Sequence, residues 1–182
     1  MEPKTDYIQK TLQIASWIIF IGLCVEAGAF IFNTFFTLFI NTTGAKKFWM
    51  EIDLSGLHHF SESMFVTITS QMIIVAVLKA LMFYLIVRSF VEKKINISKP
   101  FNETIKKLIL NTAYLALGIG IFSLWGAKLT TSVMKQGVNM PGLQELKLGG
   151  GDVWLFMAVI LLVIAQIFKK GIEIQSENEL TV

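Results

Sequence analysis

The chain has 182 residues, 54% hydrophobic and 16% charged, with a formal net charge of +3 and one cysteine. Soluble domains run at about 45–50% apolar and about 25% charged, so both shifts exclude an ordinary water-soluble domain and point to a membrane protein. A lone Cys24 excludes an internal disulfide, and inside an apolar run it reads as a small buried hydrophobe.

Met1–Gln13 is polar and mixed in charge. Ser16–Ile40 is the first apolar run, broken only by Glu26. Lys4 and Lys10 precede it, and Ala27-Gly28-Ala29 has the form of a signal cleavage site. Yet the run far exceeds a signal-peptide core of about 7–15 residues, and cleavage would leave a bare apolar N-terminus. An uncleaved helix over 14–40 is expected. Asn41–Met64 reads as a polar loop with Glu51, Asp53, His58, His59 and Glu62. His58 and Glu62 stand four apart, and imidazole with carboxylate suits zinc, but no known ligand spacing is met and no metal is expected.

Phe65–Val87 is the second run, in a helix expected over 64–90. It carries one charge, Lys79, near its middle. A lysine at mid-bilayer costs about 3 kcal/mol on insertion scales, so it needs a partner, a water-filled cavity or a function. Val91–Lys107 is the most basic part of the chain. Pro100 should interrupt a helix there, and Asn102 followed by Glu103 suits the start of the next one.

Leu108–Ala127 has no charge and places the third helix over 105–127. Ala116 and Gly120, with Tyr114 and Gly118, recur at helical spacing, and small residues so placed let helices approach closely in lipid. Lys128–Asp152 is a long connection whose first half either continues the helix or lies in the interface. Its Gly149-Gly150-Gly151 lacks the Gly-Lys-Ser/Thr of a phosphate loop. Val153–Phe168 is the fourth run, in a helix over 152–170. Alone it spans about 24 Å against a core of about 30 Å, so it should borrow Gly149–Asp152 or snorkel through Lys169 and Lys170. The tail 171–182 turns acidic after those lysines.

These elements predict an all-α membrane protein: one domain, four transmembrane helices in an antiparallel bundle. The side with both termini and the middle loop holds ten Lys and Arg, and the other side five. The positive-inside rule makes the first side cytoplasmic. Trp49, Trp125 and Trp154 then fall near the outer ends, as an aromatic belt would.

In this topology Glu26 and Lys79 both lie about 15–16 Å from the cytoplasmic face, on consecutive helices. An intramembrane Glu26–Lys79 pair would offset much of both burial costs. Gly22, Glu26, Ala29, Asn33 and Thr37 share one stripe, and Gln71, Asn111 and Gln166 are candidates to face it. The simpler meaning is a fastening that sets which helix faces which. The alternative is a transport or proton-relay subunit, although such proteins more often show several acidic groups or broken helices. No nucleophile–base–acid set and no nucleotide fingerprint is present, so no enzyme activity, catalytic residue or cofactor is expected. Beyond the lipid bilayer, a second copy of the chain is a candidate partner.

The ending Val159–Val182, VILLVIAQIFKKGIEIQSENELTV, resembles that of a bacterial membrane family, domain of unknown function 2975. Lys99-Pro100-Phe101 with Asn102 resembles that family's loop motif, with Lys-Pro-Phe where Gly-x-Pro-Phe is common. The resemblance implies four transmembrane helices and, by association, a small cytoplasmic helix-turn-helix regulator as partner, without direct nucleic-acid contact by this chain. Pro100, Phe101, Gln175, Glu177, Asn178, Glu179, Leu180, Thr181 and Val182 are then the contact candidates.

Overall fold

The computed structural model describes residues 3–50, 52–92 and 101–179. Its elements are α1 (Pro3–Phe39), a 3-10 turn (Thr42–Lys47), α2 (Ser55–Phe60), α3 (Glu62–Val91), α4 (Glu103–Lys135) and α5 (Gly151–Glu179). Among the described residues there is no strand, only an isolated bridge between Trp49 and Ile52. Helices α1, α3, α4 and α5 are each long and apolar enough to cross a membrane, which is the architecture of a multi-pass membrane protein.

The long helices pack in series, α1 on α3, α3 on α4 and α4 on α5, with no comparable contact between α1 and α5. On α1 the buried residues Ser16, Ala27, Phe30 and Thr37 share one face with half-buried Phe20, Leu23 and Thr34. Spacings of three and four are what one helix face requires. Cys24 lies outside that face and is exposed, contrary to the reading of it as buried. Gly22, expected on a polar stripe, borders open space.

Helix α3 is central, and its ends are set by local chemistry. Ser61 caps it by accepting from Met64 N at 3.3 Å, and Arg88 pairs with Glu92 at 2.7 Å in its last turn. Asn102 caps α4, accepting from Ile105 N at 2.9 Å, as its position suggests. The buried residues of α4 include the small Ala113, Ala116, Gly120, Ser123 and Gly126 beside Ile119 and Val133. A Cβ on Gly120 would sit 2.6 Å from Leu155 Cδ2, and one on Gly118 would sit 3.3 Å from Leu78 Cδ1.

Residues 41–61 form a folded cap, not a polar loop. Ala45, Phe48, Leu54 and Leu57 are fully buried and Ile52 nearly so. The Phe48 ring lies 6.0 Å from both Phe30 and Phe65, which joins the cap to α1 and α3. The Leu54 amide donates to the Ala45 carbonyl at 2.7 Å and closes the turn. Apolar residues spaced by turns have no helical or strand period, so periodicity does not reveal this cap.

The connection from α4 to α5 also belongs to the core. Helix α4 continues through most of Lys128–Gln136, to Lys135, and the chain reverses at Gly137, where φ is 84°. It passes Gly56, whose Cβ would lie 2.9 Å from the Asn139 carbonyl oxygen. It then turns back into the molecule, where Leu146 and Leu148 are fully buried. Helix α5 starts at Gly151 against Leu124 of α4, well before the end of α4. It therefore runs beside only part of α4, and the buried loop occupies the space beyond. At its other end α5 continues as helix past residue 170 to Glu179.

Candidate functional site

Two places collect the residues of interest. The first surrounds Lys79. The Phe20–Tyr84 ring contact at 6.0 Å sets the level of α1 on α3 and brings Glu26 alongside the turn that holds Lys79. Leu78 against Gly118 sets that turn midway along the apolar run of α4. Lys147, from the buried loop, joins the two charges. Its carbonyl oxygen accepts from Lys79 Nζ at 3.4 Å, and its own Nζ lies 3.9 Å from Glu26 Oε2. Trp154, in the first turn of α5, has its ring centroid 5.8 Å from Lys79 Nζ.

Glu26 and Lys79 are thus at one level, and both Glu26 and Lys147 act electrostatically on Lys79. The contact within 4 Å that Glu26 makes is with Lys147. The backbone explains the reach of Lys147. Its φ is 59°, in the left-handed region that non-glycine residues seldom adopt, and it sits between fully buried Leu146 and Leu148. The leucines anchor the loop, and the left-handed turn lets carbonyl and ammonium serve different helices. The sequence sign of this was a lysine between two leucines beside Gly149-Gly150-Gly151 in an otherwise polar connection. The cluster holds two ammonium groups and one carboxylate.

The wider polar seam is only partly assembled. Gln71 is buried on α3 and its Oε1 has no hydrogen-bond partner, as is true of Ser123 Oγ and Thr130 Oγ1 on α4. Gly126 lets Leu148 pass close to Gln71, since its Cβ would meet Leu148 Cδ1 at 2.9 Å and Gln71 Cβ at 3.1 Å. Asn33 turns its amide to the Ala29 carbonyl at 2.8 Å. Asn111 and Gln166 are exposed and do not face this seam, because each falls on the outer side of its helix.

In the cap, Asp53 Oδ1 accepts from the Ser55 hydroxyl at 2.6 Å and the Ser55 amide at 2.8 Å. Those two bonds hold its carboxyl below the usual carboxylate range. The His58 ring packs edge-on against Phe65 at 5.2 Å. Among the described residues no three His, Cys, Asp or Glu side chains converge as metal ligands would; Glu51 lies outside them.

The second place is where α4 begins. Phe101 packs on Phe168 of α5 with ring centroids 5.3 Å apart. It also lies across Gly171, where a Cβ would come 2.5 Å from Phe101 Cδ1. Beyond that contact α5 carries the Lys170–Glu173 ion pair at 3.2 Å and an exposed Ile174. Gln175 and Glu177 follow in its last turns, and the helix backbone reaches Asn178 and Glu179. Pro100, Leu180, Thr181 and Val182 lie outside the described residues. Phe101, taken from sequence as a partner contact, is here a half-open ring seated on its own chain.

No curated protein and no solved structure matches the chain. Residues 49–182 match the family model described as protein of unknown function (DUF2975), which takes in the second part of the cap, α3, α4, the buried loop and α5, and the chain belongs to that family.

Proposed function

We propose that this is a bacterial inner-membrane protein that acts as a non-enzymatic interaction or signalling partner of a small cytoplasmic helix-turn-helix regulator. The observation that carries the reading is the seat of Phe101 on Gly171. It sets Phe101, just ahead of α4, against α5 where that helix leads into its extension, and both residues fall in the segments that carry the family's motifs. A continuous helix with Glu173, Ile174 and Glu177 offers a partner both charge and an apolar position.

The topology in this proposal is an antiparallel four-helix bundle with both termini in the cytoplasm. The order of contacts supports the antiparallel part: Phe20 meets Tyr84 while Phe30 reaches Phe65 through Phe48, and Phe101 meets Phe168 while Leu124 meets Gly151. The ten-to-five excess of cations supports the orientation.

The test is co-purification of the full chain with a helix-turn-helix regulator encoded beside it. Retention is expected with the intact chain. It should be lost on deletion of residues 175–182 and weakened by Gly171→Val, which unseats Phe101. Full retention after the deletion overturns the reading.

A second reading, a transport or ion-relay subunit, is favoured by the Glu26–Lys147–Lys79 cluster midway along the apolar runs, because ionisable groups within membrane spans often mark ion pathways. A Glu26→Gln, Lys79→Met double variant that folds and supports normal function in cells removes this reading.

A further inference from the structure

We propose that residues 142–149 form a plug over a polar seam made by Gln71, Ser123 and Thr130, and that water enters the seam when the plug lifts. The inference rests on the packing of the buried loop and on neither reading above. Three features carry it: unpartnered polar groups behind the loop, a turn that satisfies its own backbone, and a glycine near each end of the connection.

The seam lies where α3, α4 and the loop meet. Gly126 faces Leu148 and Gln71 there, and Ser123 and Thr130 stand one turn to either side of Gly126 on the same face of α4. Ser123 and Thr130 are fully buried and Gln71 is 4% exposed. Yet Gln71 Oε1, Ser123 Oγ and Thr130 Oγ1 have no hydrogen-bond partner. Other helical hydroxyls bond back to their own helix. Thr69 donates to the Phe65 carbonyl at 2.8 Å, Ser89 to Leu85 at 2.8 Å and Thr112 to Leu108 at 2.9 Å. Thr131, next to Thr130, donates to the Ala127 carbonyl at 2.8 Å. Ser123 and Thr130 forgo that bond and leave their hydroxyls to the seam. A buried amide or hydroxyl without a partner is costly. Water, which both donates and accepts, is the partner that suits all three.

The loop that covers the seam sits inside the apolar layer. Gln71 lies about 9 Å along α3 from Phe65, where the apolar run begins, and Leu148 is abreast of it. Non-helical backbone at such depth persists only when buried in protein or beside a water-filled cavity. Here the turn bonds to itself. The Leu146 amide donates to the Gly142 carbonyl at 3.0 Å, the Lys147 amide to Gln144 at 3.1 Å, and the Leu148 and Gly149 amides both to Leu143 at 3.0 Å. It can therefore move as a unit and keep its backbone bonds.

The ties of the turn to the helices are weak by comparison. Among the described residues its polar links to the long helices are Lys79 Nζ to the Lys147 carbonyl at 3.4 Å and Lys147 Nζ to Glu26 at 3.9 Å. Apolar contact through Leu146 and Leu148 holds it shut. Gly137, with φ of 84°, and Gly150, with φ of 73°, flank it in the connection, and such residues absorb the change of backbone angle at a hinge.

The experiment uses the full chain in lipid nanodiscs, with Cys24→Ser to remove the one native thiol. The probe is a permanently charged methanethiosulfonate reagent, which reaches a thiol only through water. Ser123→Cys should react at least tenfold faster than Ala113→Cys, a fully buried apolar position earlier in α4. Its rate should rise severalfold further in Glu26→Gln or Lys147→Gln, which loosen the tie of the loop to α1 and leave the seam residues in place. Thr130→Cys serves as the reporter if Ser123→Cys does not fold. A seam thiol no faster than Ala113→Cys shows a dry seam and overturns the proposal. A fast seam thiol whose rate changes in neither loop variant shows water arriving by another route, and overturns the plug.

Discussion

Lys147 meets Glu26 from a loop rather than from a neighbouring helix, with Nζ 3.9 Å from Oε2. The contact is long and part-exposed, so it stabilises modestly, by about 0.5–1 kcal/mol. A double-mutant cycle with Glu26→Gln and Lys147→Gln, followed by unfolding in detergent, should return a coupling of that size. The Glu26–Lys79 cycle should return less, because their link within 4 Å passes through Lys147. A larger coupling for Glu26–Lys79 would place the direct pair above the bridge.

That relationship marks how far the sequence was legible. Lys79 announced itself as a charge in an apolar helix, and Glu26 was placed at its level by counting residues along two helices. Both steps use one-dimensional regularities, the 1.5 Å rise and the length of an apolar run. Lys147 obeys neither. Its position depends on a loop that turns back between helices, held by Leu146 and Leu148, and such a path leaves no period in the sequence. The cap shows the same limit: Phe48 and Leu57 are core residues in a stretch whose charges and histidines suggested a solvated loop. At the far end, Phe101 and Gly171 belong to two motifs far apart in sequence. The seat of Phe101 on Gly171 is a tertiary contact that only the fold displays.

The cap should be as sensitive to truncation as any helix core. Phe48 is fully buried between Phe30 and Phe65. Phe48→Ala removes that packing and leaves a cavity, at a cost of about 3–5 kcal/mol. Phe39, 72% exposed at the end of α1, provides the contrast. Phe39→Ala should cost less than about 1 kcal/mol. Unfolding midpoints of the two variants in one detergent decide the matter, and equal effects would refute the structural role of the cap.

Two helical glycines should respond in opposite directions to the same methyl group. At Gly126 a Cβ meets Leu148 at 2.9 Å and the Gln71 Cβ at 3.1 Å, so Gly126→Ala overpacks the seat of the buried loop. The expected cost is about 1–3 kcal/mol. At Gly22 nothing lies within 4 Å, and the residue sits within α1. Gly22→Ala should stabilise by up to about 1 kcal/mol, by restricting the unfolded chain and favouring helix. A stabilising Gly126→Ala would show that Leu148 does not pack where the fold places it.

Asp53 gives the cap a pH dependence of known sign. Its carboxylate accepts both the hydroxyl and the amide of Ser55, and these bonds lower its pKa in the folded state. A group with a depressed folded pKa adds stability that is fully present above its unfolded pKa, about 3.9 for aspartate. That stability is lost as pH falls through the folded value. The side chain is exposed, so water screens the effect, and the loss on acidification should be less than about 1 kcal/mol. Asp53→Asn keeps an acceptor for Ser55 but cannot titrate. The variant should therefore match the wild type in acid and fall slightly below it near neutral pH, which flattens the profile of unfolding midpoint against pH. A variant profile as steep as the wild type's would assign the acid sensitivity to other carboxylates.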